Sequence, residues 1–302
     1  MTSTVKPNPW IVGLMAAVLF LSAFLPSASA EEDVAAFLAT LDNASAELRY
    51  PAWTTAEKYG PAVIVPLGEK MESADRSKAQ DLKRAMERIV HSAARPEVKG
   101  EDRPPRQEVA DELCKLLTPE RSPKVKNEVL DLLGFIATPK NLPSIEPLLA
   151  DQAVSEEACR AIQRIPGRAA TEVFEKYLNA SPDPCKPRIL AALGQRKDPS
   201  AGPAIEKFLG AAKGDMKLLA LEAMSKSGAL PPKQLKVHLD SLGKEVSPEV
   251  KANIRLRFAD NLVAYGEYKR AERIYTSLAQ NKKIGEQIQI AAKNGLEALK
   301  DK

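Results

Sequence analysis

Shifted along itself by 29, 31 and 31 residues, the middle of this chain falls into register with itself. Val125–Leu149 lies over Val154–Leu178, then over Cys185–Leu209, then over the stretch that opens at Met216. Self-similarity at about 30 residues points to a stack of small supersecondary units, each too small to bury its own apolar face. In the first half of each unit the apolar columns read Val125, Val154, Cys185, Met216; then Val129, Ala158, Ile189, Ala220. Two more follow, Leu130, Cys159, Leu190, Leu221 and Leu133, Ile162, Leu193, Met224. These spacings put the columns on one side of an α-helix. Leu132, Ala161, Ala192 and Ala223 form a mostly small column that lets a neighbouring helix come close.

A break follows each first helix, at Thr138-Pro139 in one unit and at Asp198-Pro199 in the matching place of another. Proline has no amide hydrogen and disfavours helical geometry in the residue before it, so a helix stops there. Pro143 and Pro203 then suit the first turn of a second helix. That helix has its own columns: Ile145, Phe174, Ile205; Leu148, Tyr177, Phe208; Leu149, Leu178, Leu209. Leu113, Leu116 and Leu117 repeat the stripe upstream, and Leu235, Leu239 and Leu242 follow it more loosely downstream. The expected fold is all-α, an α/α superhelix (solenoid) of stacked antiparallel helix pairs. An apolar content of 44% with only 5% aromatics suits packed helices better than a β-sandwich.

The segments Val129–Gly134 and Ile189–Gly194, each followed by a proline turn and by Ile145–Leu149 or Ile205–Leu209, resemble HEAT repeats. The likeness is to the short bacterial type also called phycobilisome-lyase-like, and it is clearest over 110–245. Ala56–Leu67 is similar to a hairpin of the same type, with Leu82, Met86 and Ile89 opening another. After residue 248, Phe258, Ala259, Leu262, Gly266, Tyr268, Ala271 and Tyr275 resemble a tetratricopeptide hairpin. It departs from that pattern in having Arg255 at the first tryptophan position and Phe258-Ala259 for the Leu-Gly pair. Ile288, Ala291, Ala292, Leu296 and Leu299 then describe an amphipathic capping helix.

The resemblance implies a binding role for the surface lined by the second helices, and hence for Glu112, Lys115, Glu146, Glu175, Lys176, Glu206 and Lys207. Their partner would be a protein or peptide. It also leaves two alternatives: a lyase-like activity by analogy with bilin lyases, and a structural subunit of a cell-envelope complex.

At the N-terminus a single charge, Lys6, precedes the apolar run Trp10–Leu25, Pro26 and Ala28-Ser29-Ala30. This is the pattern of a secretory signal peptide cleaved after Ala30. A retained anchor is the alternative, although a span needs about 20 residues. Export to the periplasm or the extracellular space is expected, with no stable membrane span after cleavage. Removing the segment lowers the formal charge by one from +4, a mixed balance that gives no reason to expect nucleic acid. Nine basic residues face five acidic ones between Arg76 and Arg106, which reads as a solvated helix face plus a polar loop.

The expected organisation is a signal at 1–30, HEAT-like hairpins at 31–93, an exposed loop at 94–107, HEAT repeats at 108–247, and the tetratricopeptide-like hairpin with its cap at 248–302. The loop has three prolines, one glycine and no apolar face, and is either functional or merely mobile.

No catalytic constellation stands out. Cys114, Cys159 and Cys185 are an odd number for an exported chain. Cys159 and Cys185 sit in apolar columns and read as small buried hydrophobes, with a disulfide or a reactive thiol as the alternatives. His91 and His238 are far apart, and no Cys-x-x-Cys or His-x-x-x-His occurs, so neither a metal nor a cofactor is expected. Glu172, Glu175 and Glu206 read as solvated, and Tyr177 and Phe208 as core. The function read from the sequence is that of an exported, non-catalytic scaffold for protein–protein interaction.

Overall fold

Helices placed by the repeat columns stack on one another in the computed structural model, which describes residues 28–96, 98–100, 102–180, 185–228, 232–242, 246–300 and 302. The expected signal segment lies outside the described residues up to position 27. Helix α1 spans Ala28–Leu41, α2 Ala46–Thr54, α3 Ile64–Ser73, α4 Arg76–Ala94 and α5 Arg106–Cys114. The repeat region holds α6 (Pro123–Ile136), α7 (Leu142–Ile145), α8 (Ser155–Arg164), α9 (Arg168–Ala180), α10 (Lys186–Arg196) and α11 (Gly202–Ala211). After it come α12 (Gly214–Ser227), α13 (Pro232–Asp240), α14 (Pro248–Ala264), α15 (Tyr268–Ala279) and α16 (Glu286–Ala298). Among the described residues there is no strand.

First helices form one layer, α4 on α6, α6 on α8, and so on through α10 and α12 to α14. Second helices form the other, with α3 on α5 and α9 on α11. The protein is thus an all-α solenoid. All four residues of the small column are buried, as are those of the columns headed by Val129, Leu130 and Leu133. Each fully buried Leu or Ile contributes about 1.5–3 kcal/mol from transfer out of water. Capping residues start several helices: Asp75 accepts from Lys78 N at 3.0 Å, and Ser122, ahead of Pro123, accepts from Val125 N at 3.4 Å.

The proline breaks are corners. Thr138 opens a 3-10 turn over Pro139–Asn141 with a reciprocal cap, its own N–H donating to Asn141 Oδ1 at 3.0 Å. Asp198 opens the matching turn over Pro199–Ala201 with a one-way cap, its side chain accepting from Ser200 N at 3.0 Å.

The second helix of that first unit is shorter than its sequence suggests. Only Leu142–Ile145 is α-helical, and Glu146–Ala150 continues as a 3-10 turn. Pro147 offers no amide hydrogen there, so the i→i−4 ladder cannot run on. Leu148, Tyr177 and Phe208 also differ from a core reading: all three are half-buried, their inner edges packed on the core and their outer edges wet.

Carbonyls left free at the ends of α8 and α12 are satisfied by the next unit. Arg196, on α10, donates to the carbonyls of Gln163, Ile165 and Gly167 at 2.9, 2.8 and 2.6 Å, and to Thr171 Oγ1 at 3.0 Å. Asn261, on α14, donates to the carbonyls of Ser225 and Lys226 at the end of α12. That helix ends at Gly228, whose φ of +71° favours glycine. A Cβ there would also fall 2.3 Å from the Tyr265 ring.

The three cysteines are unpaired, with Cys159 and Cys185 buried and Cys114 half-buried. Burial pushes the Cys159 thiol up to about 12, so it stays protonated at neutral pH. We expect an aromatic disulfide reagent at pH 8 to titrate at most Cys114 in the folded protein, and all three thiols in denaturant. Rapid labelling of Cys159 in the folded state would contradict its packing in the column.

Candidate interaction surface

The second-helix face is already engaged with itself at most of the positions expected to bind. Glu112 and Lys115 pair with one another within and just beyond α5. Lys176, on α9, reaches back to Glu146 in the preceding unit, and that carboxylate raises the lysine's pKa. Glu175 is held by Arg168, with Nη2 to Oε2 at 2.7 Å and Nη1 to Oε1 at 2.9 Å. Arg168 also lies 3.9 Å from Asp198 and donates to Ser200, tying α9 to the next corner. Glu206 and Lys207, on α11, are exposed and have no such partner among the described residues. A ligand on this face would first have to displace exposed ion pairs, which are individually weak and salt-sensitive.

The first-helix face carries a ladder of pairs between successive units. Lys83 on α4 meets Glu128 on α6 at 2.5 Å, Asp131 on α6 meets Arg164 on α8 at 3.9 Å, and Glu156 on α8 meets Arg188 on α10 at 3.1 Å. Within this ladder stands Phe135, at the end of α6 and 45% exposed. The His91 ring from α4 approaches it edge-on at 5.3 Å, and the Arg164 guanidinium from α8 lies 5.1 Å from its centroid. Gly134 makes room for this arrangement: a Cβ at that position would fall 2.9 Å from Arg164 Nη1.

A cleft of about 430 Å3 opens between α8 and α10, and Arg164 belongs both to its lining and to the Phe135 contact. Arg160, Arg164 and Arg188 line it with Glu156, Gln163 and Gln195, and the small Ala191 and Ala192 leave its space unfilled. An exposed aromatic ring with an arginine over it has the composition of protein-binding hot spots. Phe135 lies outside every apolar column and is the aromatic of its helix, a signal the sequence did contain.

In the 94–107 segment the described residues Arg95, Pro96, Val98, Lys99, Gly100 and Asp102 are exposed and outside any helix, but its two ends are built into the stack. Helix α4 runs through Ala94, α5 begins at Arg106, and Pro104 is buried. Arg106 donates to the carbonyls of Ile136 and Phe135 at 3.1 and 3.3 Å, so the end of this segment caps α6. At the C-terminal end, Tyr275 O–H donates to Asp260 Oδ1 at 2.7 Å across the α14–α15 hairpin, and burial raises its pKa. The outer face of α16 is mostly polar, with Glu286, Gln287, Lys293, Asn294 and Glu297 exposed beside Ile290.

Among the described residues no group of three or more His, Cys, Asp or Glu side chains is placed to hold a metal ion. No described helix is long and apolar enough to cross a membrane.

No family model matches the chain, and no curated protein matches it. Similar solved structures are helical, HEAT-repeat-like proteins of low identity. The Escherichia coli protein YibA is 14% identical, with 98% of this chain and 99% of that chain covered and a TM-score of 0.43. The complex of CpcE and CpcF of phycocyanin lyase from Nostoc is 14% identical, covering 98% of this chain and 100% of that one, with a TM-score of 0.35. Human deoxyhypusine hydroxylase is 13% identical, covering 91% and 99%, with a TM-score of 0.31. At such identities and scores the likeness says nothing of function.

Proposed function

We propose that this chain is an exported, non-catalytic scaffold of the HEAT-repeat kind, which holds a protein or peptide partner on its helical faces. Exposed Phe135, bracketed by His91 and Arg164 where three successive units meet, is the observation that carries the reading. An exposed ring held in place by its neighbours loses little side-chain entropy on binding, and the adjoining Arg164 supplies directional donors. Export is supported by Lys6, the run Trp10–Leu25 and Ala28-Ser29-Ala30.

The test is in-cell crosslinking with the native leader present, comparing the unaltered chain with Phe135→Ala and with a Glu206→Ala/Lys207→Ala pair. We expect an intact mass that begins at Glu31, and a discrete crosslinked species that Phe135→Ala reduces at least about fivefold, a loss of roughly 1 kcal/mol. A crosslinking pattern unchanged by Phe135→Ala would move the partner surface elsewhere. A chain that still carries Trp10–Leu25 would defeat cleavage after Ala30 and leave the retained anchor, and a chain found only in the cytoplasmic fraction would defeat the export reading.

A further inference from the structure

Near the C-terminal end, the fold leaves one half-buried cation short of partners. Arg255, on α14, lines a groove of about 520 Å3 together with residues of α13 and α15. It occupies one of the two places at which the chain departs from the tetratricopeptide pattern it resembles. Its guanidinium donates one hydrogen bond, from Nη2 to Ser277 Oγ at 3.1 Å, and among the described residues it has no ion-pair partner. Burial lowers its pKa, the mark of a charge that has lost water without gaining a counter-charge, and Asp240 offsets this only in part. Asp240 lines the same groove but is exposed. The other cation there, Lys251, donates to the carbonyl of Leu242 at 3.0 Å. Leu235, Leu239 and Ile274 supply apolar wall.

We propose that this groove binds a monocarboxylate carried on an apolar stem, with the carboxylate on Arg255 and Ser277 and the hydrocarbon against Leu235, Leu239 and Ile274. A guanidinium presents a planar fork that matches the two oxygens of a carboxylate, and four of its five N–H donors are uncommitted here. Partial desolvation strengthens such a pair over its value in water. A volume of this size falls within the range of small-molecule sites, and an apolar wall with a few convergent polar groups is their usual make-up. The inference is independent of the scaffold reading, since it concerns a different face and a different class of ligand.

Calorimetric titration of the mature chain with decanoate, with decanol and with acetate tests it. We expect decanoate to bind at least about tenfold more tightly than either control, because only it offers both halves of the ligand. Arg255→Leu, with unchanged helical circular dichroism, should weaken decanoate at least about tenfold, and Arg255→Lys should weaken it less. Ile274→Asp, which sets a carboxylate in the wall, should block it as well. Decanol binding as tightly as decanoate, or no heat with decanoate at millimolar concentration, overturns the proposal on the unaltered protein alone. So does a folded Arg255→Leu variant that binds decanoate normally.

Discussion

Arg49→Ala is expected to destabilise the N-terminal helices by about 3–5 kcal/mol, because it strands a buried carboxylate. Arg49 is 1% exposed on α2, and its Nε donates to Asp81 Oδ2 on α4 at 2.7 Å. Its Nη1 donates to the carbonyls of Asn43 and Ala44, both at 2.9 Å, and its Nη2 to Ser77 Oγ at 2.6 Å. Truncation removes all four contacts at once. Asp81, itself 5% exposed, keeps only Arg84 at 3.2 Å as counter-charge. The double variant Arg49→Leu/Asp81→Leu should recover most of the loss, since an apolar pair of similar bulk carries no stranded charge. Solenoid stability is a sum over units and their interfaces, so the damage should stay local. Urea unfolding followed by hydrogen exchange should show α1 to α4 opening before α8 to α12. A single variant as stable as the unaltered chain, or a double variant no better than the single, would show that the pair does not hold these helices together.

The Arg49–Asp81 pair was not legible in the sequence, and the reason is physical. Periodicity reports which side of a helix faces a core, and that signal carried the columns from Val125 to Met224. It is silent about charged side chains that turn inward to close helix ends. Arg49 reads as an ordinary surface residue of a short helix, and its partners lie 28 and 32 positions away at Ser77 and Asp81. Arg196 and Arg106 share this trait, each capping carbonyls some 30 residues upstream or downstream. The expected binding residues suffered from the same blindness: the resemblance placed Glu146 and Lys176 on the second-helix surface, but gave no sign that stacking would bring them together. Phe135 was visible as an aromatic outside the columns, yet its brackets, His91 and Arg164, come from units on either side.

Phe174→Ala should cost about 3–5 kcal/mol, the usual toll for emptying a fully buried aromatic site. Phe174 is 0% exposed on α9, in the column it shares with Ile145 and Ile205. Three residues on, Tyr177 belongs to the neighbouring column, and with Leu148 and Phe208 it is only half-buried. Phe208→Ala should therefore cost clearly less than Phe174→Ala, although both remove the same ring, because part of the Phe208 site is already in water and can be refilled by it. The comparison separates column membership from residue type, which circular dichroism melts of the two variants can read directly. Equal losses would mean that the half-buried column is core after all. In hydrogen exchange the Phe174 cavity should loosen α8 through α11, its own and adjoining units, while the helices joined by Arg49 keep their protection. Arg49→Ala should produce the mirror image, protecting the centre and exposing the N-terminal end. Two local responses of that kind require a stack held by nearest neighbours, whereas a single cooperative core would lose protection throughout in both variants.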